Sequence, residues 1–349
     1  MPRACGHNEV RIKVAWCGIC GSDIHEYEFG PIFTPVAGGR NPHTGLELPV
    51  VMGHEYSGTV TEIGSSVTDI KVGQDVAVNP HVHDRIYGIE PCGACRKGKY
   101  NVCRRSAVCG LSSPGGGLSS EAVVRARSCI PLPPTVSLKE AAIAQPLTIS
   151  WHAIRMSGFQ KGQKALICGA GPIGLGILVL LRVWGASTVV VSEVTEARIR
   201  QAKKFGADLV VNPLEKKDGV NPVVAAVEGI TSGEMVDVAF MAASHQTIYD
   251  AAVASTRIGG TILNCAIHEK PIQVNFTELT VHEKRILTGM RCTDEDWEGV
   301  FQAIGEGKIP DVEDMVTVDV PLSNAIEGAF LELINHTSDH VKILIHPDA

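Results

Sequence analysis

Three short stretches of this 349-residue chain carry side chains fit for chemistry. Cys20 and the adjacent pair His54-Glu55 offer a thiolate, an imidazole and a carboxylate. That donor set suits a catalytic zinc that keeps one coordination position open. A single Cys or His is most often packing, but three donor types from one region carry weight together. The third stretch is Gly169-Ala-Gly171-Pro172-Ile173-Gly174, a Gly-x-Gly-x-x-Gly placed between a β-type run and a helix-length apolar segment. Its glycines allow a tight turn, close approach of backbone to a pyrophosphate, and close helix–sheet packing. The following helix N-terminus then offers N–H groups and a positive dipole end to the phosphates.

A second β-type run, Val189-Val-Val-Ser, ends at Glu193, about 20 residues after the last glycine, where a carboxylate binds a ribose diol. An acid there repels a 2′-phosphate, so NAD is expected rather than NADP. Arg198, one helical turn on, lies over the adenine, contacts the ribose, or is a solvated helix residue.

These residues need two kinds of scaffold. Over residues 10–127 short β-type runs such as Val10-Arg-Ile-Lys-Val-Ala and Tyr56-Ser-Gly-Thr-Val-Thr-Glu-Ile are broken by turn clusters, as in a barrel. Over residues 141–290 strands alternate with helix-length segments, which reads as a parallel sheet with crossover helices. Helices are expected near 294–305 and 324–335, a last strand at 341–345, and a linker at Leu132-Pro-Pro. Residues 165–181 carry no charge and approach the length of a membrane span. Their glycines and Pro172 mark a buried strand, a tight turn and a buried helix instead. Net charge is −7 with pI near 6.0 and no basic stripe, which argues against nucleic acid or an anionic membrane as partner. Eleven cysteines, an odd number, without an apolar targeting segment at the start, point to free thiols or metal ligands in a reducing, cytoplasmic setting.

At Gly53-His54-Glu55-x-x-Gly58, with Gly64 and Val67, the chain resembles the zinc-dependent medium-chain alcohol dehydrogenases, and within them fungal butanediol dehydrogenases, with sorbitol dehydrogenases next. Val14-Ala-Trp-Cys-Gly-Ile-Cys-Gly-Ser-Asp-Ile-His-Glu-Tyr, Pro146-Leu-x-x-x-Trp151-His-Ala and Val341-Lys-Ile-Leu share in it. The resemblance implies an α/β protein: a GroES-like β-rich catalytic domain (residues 1–146, completed by 293–349) around a Rossmann doubly wound parallel-sheet coenzyme domain (147–292). It implies Cys20, His54 and Glu55 as ligands of a catalytic zinc, Ser22 as the start of a proton relay and His25 as its outer end. It further implies hydride transfer between NAD and a secondary alcohol, a vicinal diol such as 2,3-butanediol with acetoin as its ketone, and a dimeric or tetrameric homo-oligomer. Polyol oxidation of the sorbitol type is the near alternative. A nucleotide-binding protein that has lost zinc and turnover is the distant one.

Three departures from the family pattern stand out. Gln145 replaces the Glu usual before Pro-Leu, so a carboxylate at or near the metal becomes a neutral amide. Cys92, Cys95 and Cys103 match three ligands of a structural zinc, but Ile89 replaces the fourth; Cys109, Glu90, His81 or His83 are candidates for it, or else the lobe is a metal-free loop. Few residues precede the strand at 10–15, where the family has a leading β-segment, so an exposed sheet edge is expected there.

Overall fold

The computed structural model describes residues 3–215, 219–309, 312–336 and 340–348. It forms two compact units, residues 1–145 with 293–349, and residues 146–292.

The first unit is built on the strand Glu9–Gly18. It pairs antiparallel along one side with Glu55–Ile63, and along the other with Glu121–Arg125 and Lys342–His346. Both its sides are therefore occupied, and the expected open edge does not fall on it. The sheet runs Val316–Pro321, Lys342–His346, Glu9–Gly18, Glu55–Ile63, Asp75–Val78, Cys129–Pro131. Val10, Ile12 and Val14 alternate inward onto Tyr56, Val60, Val76 and Val124, the period-2 pattern of a half-buried strand closing over a core.

The second unit is a six-stranded parallel sheet in the order Leu209–Val211, Thr188–Ser192, Lys164–Cys168, Val236–Met241, Thr256–Asn264, Arg285–Thr288. Strand order reverses between Lys164–Cys168 and Val236–Met241, and the crevice at such a switch point is where open α/β sheets take ligands. Ala165 to Cys168 are wholly buried, as expected of a central parallel strand with both faces covered. The uncharged stretch is this strand, a turn and the helix Pro172–Val183. Among the described residues no helix is long and apolar enough to cross a membrane.

Two expectations need correction. Leu132-Pro-Pro ends the strand Cys129–Pro131 rather than a domain; the division falls at Gln145/Pro146, inside the helix Leu138–Ser157. A helix that runs through a boundary leaves no loop composition to mark it. The helix expected at 324–335 is a 3₁₀ turn, Leu322–Asn324, then a π-helix, Ile326–Leu331, then one α-turn, Glu332–Asn335. Apolar spacing does not distinguish these windings.

Candidate active site

Cys20 immediately precedes the helix Gly21–Phe29, and His54-Glu55 lies where the chain enters Glu55–Ile63. The register Gly18↔Glu55 draws the two stretches together. Gly53 has φ of +89°, and a Cβ there would meet Cys17 Sγ at 2.7 Å, so only glycine sets the approach of His54. The donor atoms of Cys20, His54 and Glu55 lie within 4.8 Å of one another.

Around them stand two groups not anticipated from sequence. Asp23 accepts from the backbone N–H of Cys20 at 3.0 Å through Oδ2, while its Oδ1 faces His54 Nδ1 at 3.4 Å. A carboxylate behind a histidine fixes ring orientation and tautomer, which leaves Nε2 to face a metal. Burial disfavours a charged imidazole, yet Asp23 and then Cys20 raise His54 well above its ordinary range. These negative neighbours are the field a bound cation would meet. Lys342, fully buried, donates to Glu55 Oε2 at 2.5 Å and to the Ile19 carbonyl at 3.0 Å. Burial lowers its pKa, but Glu55, Cys20 and Asp23 together outweigh that and raise it. A converging thiolate, oriented imidazole and carboxylate fit a divalent zinc. A lysine inside the apolar run Val341-Lys-Ile-Leu-Ile was the signal for a buried counter-charge, and Asp23, third in its helix, was that for a cap.

Ser22 Oγ lies 3.3 Å from His54 Nε2, at the donor face of the cluster. His25 is exposed one turn on, its ring edge-on to Phe29 at 6.2 Å between centroids. Gln145 is buried near the middle of the helix Leu138–Ser157.

In the second unit the glycine turn opens a cavity of about 710 Å³ lined by Gly169, Gly171, Glu193, Arg198, Asn221 and Thr247 among others. A Cβ on Gly174 would strike the Gly169 carbonyl at 1.9 Å, so the turn closes only with glycine at that position. Pro172 and Ile173 form the first turn of the helix Pro172–Val183, whose N-terminus abuts this space. Glu193 is buried and accepts from Ala170 N at 2.7 Å, which ties the end of its strand to the glycine turn.

Cys92, Cys95 and Cys103 converge as well, and the fourth donor beside them is Asp84, not one of the four candidates weighed from sequence. Cys109 packs in the core with Tyr56 and Val82. His81 lies in the short strand His81–Val82, and His83 stacks on Tyr100. The Ile89 side chain is 46% exposed and offers no donor atom to the cluster.

Residues 6–134 match the alcohol dehydrogenase GroES-like domain, and residues 172–306 the zinc-binding dehydrogenase domain. The (R,R)-butanediol dehydrogenase of Saccharomyces cerevisiae is 38% identical over 98% of this chain and 92% of its own length. The sorbitol dehydrogenase of Homo sapiens is 31% identical over 93% of this chain and 85% of its own. The crystal structure of 2R,3R-butanediol dehydrogenase from Bacillus subtilis matches with a TM-score of 0.90 at 33% identity, covering 100% of this chain and 95% of that one. With both domain types present and the likeness running along nearly the whole chain, this protein belongs to the zinc-dependent alcohol dehydrogenase family and is an oxidoreductase of secondary alcohols, with zinc and a nicotinamide dinucleotide as its cofactors.

Proposed function

We propose that the alcohol is a vicinal diol such as 2,3-butanediol, with acetoin as its ketone and NAD as the coenzyme. The observation that carries this reading is the likeness to butanediol dehydrogenases over nearly the full chain. Cys20, His54 and Glu55 would hold the zinc, with Asp23 and Lys342 orienting two of the three. Bound there, the metal supplies Lewis acidity toward an alcohol oxygen, and the dinucleotide supplies the hydride acceptor. Ser22 Oγ, at the donor face, takes the alcohol's proton, and His25 releases it to solvent, with water spanning the interval between them. Glu193 claims the ribose hydroxyls and excludes a 2′-phosphate by charge. The N-terminus of the helix Pro172–Val183 faces the pyrophosphate, and Arg198 borders the adenosine end of the cavity.

The likeness to sorbitol dehydrogenases supports polyol oxidation as the second reading. A panel of butanediol stereoisomers, acetoin, sorbitol and xylitol, each assayed with NAD and NADP, separates the two. A kcat/KM for butanediol or acetoin at least about ten-fold above that for any polyol supports the diol. Sorbitol as the best substrate overturns it.

We also infer self-association along the strand Arg285–Thr288, an edge of the parallel sheet flanked by exposed Ile258, Phe276 and Val281. Light scattering of the wild type against Ile286→Lys tests it, and an unchanged mass overturns it. A cytoplasmic setting is supported by eleven cysteines, none of them in a disulfide.

A further inference from the structure

Asp84 opens the short helix Asp84–Tyr87 and is wholly buried. Its carboxylate and the thiols of Cys92, Cys95 and Cys103 all lie within 4.8 Å of one another. The four donors come from three separate segments, brought together by the turn Cys95–Lys97 and the return through Tyr100–Val102. Cys92 Sγ and Cys103 Sγ are 3.9 Å apart. Two thiolates on one tetrahedral zinc, each at about 2.3 Å, stand about 3.8 Å apart. The Arg105 backbone N–H points at Cys103 Sγ at 3.4 Å, the kind of contact that steadies a thiolate.

The Asp84 carboxylate is itself held in place. Oδ2 accepts from Cys92 N at 2.6 Å, and Oδ1 from Arg105 Nε at 2.7 Å, while the same guanidinium reaches the Glu90 carbonyl at 2.6 Å. Each carboxylate oxygen has two lone-pair directions, so these bonds orient Asp84 without using up its capacity to donate to a metal. Ile89, at the position where the family resemblance implies the remaining cysteine, has an exposed side chain, and its backbone N–H donates to the Asp84 carbonyl at 3.1 Å.

We propose that Asp84 is the fourth ligand of a structural zinc in this chain, completing a shell of three thiolates and one carboxylate, with Arg105 as its positioning residue. The lobe supplies an oxygen from Asp84, five residues before the position at which the family resemblance implies a sulfur. The shell carries the charge of a four-thiolate site, three thiolates and one carboxylate against Zn²⁺, and Arg105 offsets part of the excess from outside. Binding takes up the metal and releases the protons of whichever thiols are still protonated; no electron is exchanged.

The test is zinc content, by mass spectrometry of protein prepared under reducing conditions, for the unchanged chain, Asp84→Asn and Asp84→Cys. The expected result is that Asp84→Asn loses one equivalent of zinc per chain and Asp84→Cys keeps it. With Co(II) in the site of Cys92, Cys95 and Cys103, Asp84→Cys raises the thiolate-to-metal charge-transfer absorbance by about one third, since four thiolates replace three. Three results would each overturn the proposal: full zinc in Asp84→Asn, an unchanged charge-transfer band in Asp84→Cys, or a native chain that never holds this equivalent and whose lobe thiols react freely. Should Asp84→Asn fail to fold, the cobalt comparison alone decides. The readout is a difference of one equivalent, so it is independent of zinc at Cys20 and of turnover.

Discussion

Both carboxylate oxygens of Glu193 accept backbone hydrogen bonds, Oε2 from Ala170 in the glycine turn and Oε1 from Val194 and Thr195. The acid therefore braces the turn as well as presenting charge to a ribose. Glu193→Ser is expected to weaken both coenzymes and to narrow the preference for NAD over NADP by about ten-fold, the scale of a lost charge-assisted hydrogen bond. Comparing kcat/KM for the two coenzymes separates the roles, because equal losses with an unchanged ratio would make Glu193 a brace only. His25→Gln is expected to slow alcohol oxidation about ten-fold at lower pH with little change in NAD affinity, and an unaltered pH–rate profile would return His25 to an ordinary surface role. At Gln145 the reasoning is a count of charge. Zn²⁺ with the Cys20 thiolate, neutral His54 and the Glu55 carboxylate sums to zero, and Lys342 and Asp23 cancel one another outside. A carboxylate at 145 would make the set negative. Gln145→Glu should thus retain zinc longer in chelator dialysis and move the acid limb of the pH–rate profile upward. If neither changes, residue 145 lies beyond the reach of the metal.

The helix Gly21–Phe29 does more than carry Cys20, Ser22 and His25 to the site. Its Glu26 accepts hydrogen bonds from Ile32 N, Phe33 N, Thr34 N and Thr34 Oγ1, gathering the following loop over its C-terminal end. Burial pushes the Glu26 carboxyl up, but Thr34, Phe33 and Ile32 together hold it below its usual range. A carboxyl that titrates lower folded than unfolded contributes fully above its unfolded value of 4.5, and that contribution drains away as the pH falls through the folded value. Glu26→Gln is accordingly expected to lower Tm by roughly 2–4 °C at neutral pH and to differ progressively less from the parent under acid, as scanning calorimetry across pH would read. The same helix shows what could be read from residues alone. The glycine turn, the donor set and the alternation of sheet and helix were legible because each requirement is local in the chain. Asp23 and Lys342 were not, since a capping acid and a strand lysine become site residues only through pairing across the fold. Asp84 escaped for a related reason: the sequence marks the vacancy at Ile89, but only the path of the lobe shows which side chain takes its place. The winding at 326–331 left no mark in apolar spacing either.

At the scale of the molecule, the pair Lys342–Glu55 connects residues 287 positions apart in a fully buried setting. Removing one member of a buried pair leaves a charge without compensation and costs about 3–5 kcal/mol. Lys342→Met should therefore destabilise the zinc-free protein by about that much, and the zinc-loaded protein by less, because a metal on Glu55 takes over as counter-charge. Urea unfolding of both forms measures the difference; equal losses would show that Lys342 contributes packing rather than charge. The pair also has a consequence in time. Chains are made from the N-terminus, and domains fold as they emerge. Cys20, His54 and Glu55 are all synthesised within the first sixth of this chain, yet the strand that pairs with Glu9–Gly18 and delivers the ammonium group is made only after the whole second unit. A nascent chain thus carries the three donors, with Asp23 beside them, but without the Lys342 counter-charge throughout most of its synthesis. The donor cluster gains its buried counter-charge only when the strand Lys342–His346 is laid beside Glu9–Gly18.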